Sequence, residues 1–165
     1  MKKFAIGLVV YALAFAALSC KSTADGVGLE GEITQEKVDS ALSQIYDNYR
    51  AKLIMDGARD YTVAAGDTLT AITRKHYGPL TNVGSAGPNN GFYFPVIMMG
   101  ADSKIVDPDK IEPGMKFKIV DLKKNLANPE SKAAIRDCLR DVAYVYNKKG
   151  SAVTEEGLVK LANSL

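Results

Sequence analysis

Tyr61-Thr62-Val63-Ala64-Ala65-Gly66-Asp67-Thr68-Leu69-Thr70-Ala71-Ile72-Thr73 changes its hydrophobic period part-way along. Residues 61–64 alternate, as a strand does when one side faces a core and the other water. From Leu69 the apolar spacing widens, so that Leu69, Ile72 and Tyr77 share one face of a short helix. Thr68 stands where a helix N-cap is needed. Gly78 closes the helix at a position suited to a left-handed residue.

Working outward, Lys116-Phe117-Lys118-Ile119-Val120 alternates in the same way, and Pro113-Gly114 makes the turn that delivers the chain into it. A second short helix is predicted from about Phe94 to Ala101, with Pro95 in its first turn. Residues 79–93, dense in Gly, Asn, Pro and Ser, read as irregular surface chain between the helices, and so long a loop is either functional or mobile. The predicted order is strand, helix, helix, strand, an α+β unit over residues 60–121. A two-stranded sheet is marginal alone, so both helices must pack on it.

These residues resemble the LysM family. The quoted stretch, with Lys75-His76-Tyr77-Gly78, matches the first half of a LysM domain. Phe94-Pro95, Ile97, Lys104-Ile105-Val106-Asp107-Pro108-Asp109 and Ile111-Glu112-Pro113-Gly114 match the second half in order and spacing. The resemblance covers about 60 residues in two separated blocks. It implies a βααβ fold and polymers of N-acetylglucosamine as ligands, held in a shallow groove between the loop after the first strand and the loop before the second. Carried over by motif position, the glycan-binding residues are Gly66, Asp67, Thr68 and Leu69 from the first loop, and Ser103, Lys104, Ile105, Val106, Asp107 and Pro108 from the second. Leu69, Ile105 or Val106 could offer an apolar patch to an acetamide methyl. Gly66 permits a backbone conformation or an approach that a side chain would block. Asp67 and Thr68 equally suit helix capping, and the two roles are compatible. One departure bears on sugar affinity: the family usually has Asn where this chain has Ala101, and Met98 and Met99 replace more common aromatic or polar residues.

The flanks read as helical. Thr34 is a plausible N-cap, and Val38, Ala41, Leu42, Ile45, Tyr49 and Leu53 give residues 34–57 one apolar face that Asp56-Gly57 ends. In residues 122–165, Asn128-Pro129-Glu130 opens a helix running to about Asn147, with Gly150 beyond it, and Thr154 starts a last short helix. Each has a face to bury, against the others or the central unit.

Lys2 and Lys3 precede an uncharged run over residues 4–18, which reads as a secretory signal over 1–19. Ala17-Leu18-Ser19-Cys20 resembles a bacterial lipoprotein cleavage site of the relaxed kind found in spirochaetes, with Leu one place late. Cys20 is then the lipidated residue, and residues 20–33 a flexible tether. Each buried acyl methylene contributes about 0.8 kcal/mol to membrane attachment. Ordinary signal cleavage after a small residue such as Ala16, or an uncleaved anchor, is the other reading. Lys21 after the cysteine suits outer-membrane sorting by analogy with enteric bacteria. Cys138 lies on the helical face Ile135, Cys138, Leu139, Val142, Tyr146 and reads as a small buried hydrophobe.

Without residues 1–19 the formal charge of +2 falls to 0, because Lys2 and Lys3 leave and no acid does. The chain then has no electrostatic reason to seek nucleic acid. No catalytic, metal or cofactor constellation stands out. His76, the one histidine, sits at a helix-end packing position. Asp107 and Asp109 flank a proline, where solvated turn residues are common, and with Asp102 and Glu112 they lack the spacing of a calcium loop. The expectation is a non-catalytic cell-envelope lipoprotein on the periplasmic face of a membrane, the outer membrane, binding peptidoglycan strands. The alternative is an envelope assembly protein whose flanking helices dock a protein partner.

Overall fold

The computed structural model describes residues 28–78, 90–101 and 106–165. The signal run, Cys20, most of the tether, residues 79–89 of the long loop and Ser103, Lys104 and Ile105 lie outside the described residues. The structure is mixed α and β, with one two-stranded antiparallel sheet and several helices, as the α+β expectation requires.

α1 (Gln35–Arg50) opens on Thr34, whose hydroxyl accepts from the Lys37 amide, and buries Val38, Ala41, Leu42, Ile45 and Tyr46. It stops short of the expected 34–57, and Tyr46 takes the buried place expected of Tyr49. The reason lies 71 residues further along the chain from Ile54. The side chain of Asn125 accepts from the Ile54 amide (2.8 Å) and donates to the Ile54 carbonyl (3.0 Å), drawing residues 51–54 out of the helix. Leu53 is still buried, but from a turn. The tether expectation also needs correction at its end. Leu29 is buried, and the Lys37 ammonium binds the Glu30 and Glu32 carbonyls (both 2.9 Å), so this part of the chain is seated on the body.

β1 (Arg59–Thr62) pairs antiparallel with β2 (Lys116–Ile119), Tyr61 opposite Phe117. Pairing continues through Val63, whose amide bonds Met115 and whose carbonyl accepts from Gly114. On its other edge β2 meets Gly100-Ala101: the Lys118 amide donates to the Gly100 carbonyl (2.9 Å), and Ala101 bridges Phe117. A Cβ on Gly100 would collide with the Lys118 carbonyl oxygen, so only glycine permits this approach.

α2 (Leu69–Tyr77) buries Leu69, Ile72, Thr73 and Tyr77, and the Thr68 hydroxyl caps it. Gly78 is not left-handed as expected. Its φ is −55°, because its amide keeps the helical bond to the Arg74 carbonyl (2.7 Å). α3 (Phe94–Met99) has Pro95 in its first turn and is buried on every side. It is preceded by a 3-10 helix, Asn90–Tyr93, in which Gly91 and Tyr93 are buried, so the expected irregular stretch over 79–93 ends earlier than its composition suggested.

The last third is α4 (Leu122–Ala127), α5 (Pro129–Lys148) and α6 (Ala152–Ser164). α5 is capped by Asn128, with Pro129 and Glu130 in the first turn. It ends where Gly150 turns left-handed (φ 74°) and the Ser151 amide reaches back to the Tyr146 carbonyl (2.9 Å). That closure starts α6 at Ala152, before the expected Thr154. Cys138 is fully buried with its neighbours on the α5 face. One hydrophobic cluster runs from Leu29 to Ala162 and unites the flanking helices with the βααβ portion. No helix among the described residues is long and apolar enough to cross a membrane.

Candidate functional site

The turn after β1 is built by its own side chains. Gly66 is exposed with φ 86°, and a Cβ there would meet nothing within 4 Å. Its φ lies in the left-handed region, where glycine is the favoured residue. The Asp67 carboxylate accepts from the Tyr61 hydroxyl (2.7 Å) and the Ala64 amide (2.8 Å). Those two bonds, the Ala64 amide first, hold the Asp67 carboxyl below the usual range. Of the two expected capping residues, Thr68 caps α2 and Asp67 instead locks the turn to the strand before it.

This turn forms one side of a groove of about 370 Å³. Asp67, Thr68 and Leu69 line it, with Thr70 and Arg74 of α2. Pro108, Asp109 and Ile111, from the chain that leads into β2, line it as well. The remaining lining residues are Gly91 and Phe92 of the 3-10 helix, Phe94, and Tyr146 and Thr154 from α5 and α6. Two stretches about 40 residues apart in sequence thus line one trough. A trough of this volume, with hydroxyls, carboxylates and a guanidinium around aromatic and aliphatic surface, suits a small polar ligand with an apolar face.

The expected residues divide within it. Asp67, Thr68, Leu69 and Pro108 line the groove, whereas Gly66 and the half-buried Val106 do not. Asp107 is 4 % exposed and turned inward. It accepts from Gln35 Nε2 of α1 (2.8 Å) and from the Asp109 amide (3.0 Å), and Lys149 Nζ lies 3.7 Å away. It is therefore no solvated turn residue, and its position pins the second loop to α1 and α5. Asp109 is exposed: Lys149 (2.7 Å) and the Tyr146 hydroxyl (3.3 Å) both donate to it. Burial, followed by Asp109 and Asp107, pushes the Tyr146 hydroxyl well above the usual tyrosine range.

Thr70 and Arg74, four apart on the exposed side of α2 and adjoining Thr68, had a signal in helical periodicity. Phe92, Tyr146 and Thr154 had none, because only the tertiary fold brings them to the groove. Ala101 is buried against β2 and does not line the groove. It borders a separate depression of about 500 Å³ with Met55, Met99 and Phe117, to which neither groove loop contributes. His76 stacks edge-on against Tyr61 at 5.2 Å. Burial, then Arg59 and Lys75, lower its pKa, so the ring is neutral at pH 7.

Comparison with protein-family models, curated proteins and solved structures finds no match to this chain.

Proposed function

We propose that this protein is a non-catalytic LysM-type lipoprotein of the cell envelope that holds peptidoglycan strands, polymers containing N-acetylglucosamine, in the groove between Asp67–Leu69 and Pro108. One observation carries the reading: the two blocks of motif residues, distant in sequence, both line a single trough. Its chemistry supports the assignment. The half-buried Phe92 ring offers surface to sugar C–H groups and acetamide methyls, while Thr68, Thr70, Asp67 and Asp109 offer hydrogen-bond partners to hydroxyls and amides. Acylation of Cys20 anchors the chain to a membrane and confines the groove beside the wall, so local concentration compensates for a weak single site.

The test is retention of the chain from Lys21 onward on purified, protein-free sacculi. Retention that soluble chito-oligosaccharide competes away is the expected result, and no retention removes the glycan role in favour of a protein partner. In the full chain, Cys20→Ser abolishes incorporation of labelled fatty acid if the anchor is as proposed.

A further inference from the structure

We infer that Phe92 is the sugar-stacking wall of this groove and that Gly157, in the middle of α6, positions it. The inference rests on the glycan reading above and extends the site to a helix outside the βααβ unit. Among the described residues, three aromatic rings border the trough: Phe92, Phe94 and Tyr146. Two of them have little surface to offer. Phe94 and Tyr146 are 6 % and 4 % exposed and pack edge to face at 5.7 Å. Lys149 Nζ also covers the Tyr146 ring, 4.8 Å from its centre. Phe92 alone of the three is only half-buried. A pyranose ring carries a face of C–H groups that packs on an aromatic ring, while its equatorial hydroxyls reach sideways to polar partners. Thr154, Thr68 and Asp67 line the same trough as Phe92 and meet that need.

The ring has a seat. A Cβ built on Gly157 would fall among three carbons of the Phe92 ring, so the ring lies directly against the backbone of α6. Glycine inside a helix is a poor choice on its own account, less favourable there than alanine. Contact with Phe92 gives it a reason to be there. Any side chain at residue 157 would displace the ring from its seat on the helix backbone.

The test uses the full chain in detergent, titrated with chitotetraose by calorimetry and by ligand-observed NMR. Phe92→Leu and Gly157→Ala each weaken binding about tenfold, and Phe92→Tyr retains it. Sugar protons shift upfield on binding the wild type and lose that ring-current shift with Phe92→Leu. Thermal unfolding followed by circular dichroism establishes that each variant is folded. Without ligand, a nuclear Overhauser contact between the Gly157 Hα and the Phe92 ring is expected, and its absence overturns the positioning role whatever the variants do. Unchanged affinity in Phe92→Leu, with Leu69→Ala losing binding, overturns the stacking wall and leaves the glycan reading standing. If the wild type itself does not bind, the glycan reading fails and this inference falls with it.

Discussion

Asp67 ties the β1–α2 turn together through two bonds that only its ionised form makes well, one from a backbone amide and one from a phenol. Because folding lowers its pKa, its contribution is complete above the unfolded carboxylate value, about 4, and is lost as pH falls through the lower folded value. Asp67→Asn should therefore lower the melting temperature at pH 7, and the gap from wild type should close on acidification below about pH 4. Melting curves at pH 7 and pH 3 check this; a gap that stays constant would mean the charge is irrelevant. Thr68 was legible as a cap because capping involves residues within one turn. The partners of Asp67 were less so, since a carboxylate beside a helix start can bond forwards or backwards, and the position of Tyr61 across the turn chose the latter.

Elements whose ends are set by nearby residues fell where the pattern put them, as with α5 opening on Asn128-Pro129 and α3 on Phe94-Pro95. Elements whose ends are set from afar did not. The end of α1 depends on Asn125, which is fully buried, takes a hydrogen bond from Ser131 (2.6 Å) and clasps both backbone groups of Ile54. Asn125→Ala takes from both half-buried Ile54 backbone groups the partner that Asn125 gives them and should cost about 2 kcal/mol. Urea unfolding measures it, and a loss within experimental error would show that the clasp is dispensable. Residues 122–127 carry too little periodicity to announce α4, which carries that side chain.

At the scale of the whole molecule, the βααβ unit does not stand apart. α3 is apolar all round, and α5 covers it: Phe94 packs on Tyr146, while Asp107 joins the second groove loop to Gln35 of α1 and faces Lys149. A two-stranded sheet offers too little surface to bury α3 alone. Deleting residues 129–165 should therefore abolish cooperative unfolding in urea and expose dye-binding apolar surface. A sharp transition in the shortened chain would show that residues 60–121 fold by themselves.

Residue order alone marked both strands and most of the helices and the residues that cap several of them, because periodicity and capping depend on neighbours a few positions apart; the two loops of the groove were expected from the LysM resemblance. The tertiary structure alone decided that Asp107 turns inward, that Phe92 rests on Gly157, and that α5 and α6 wall the groove. Each of these depends on residues tens of positions apart in the chain, and contact at such separation leaves no local pattern to read.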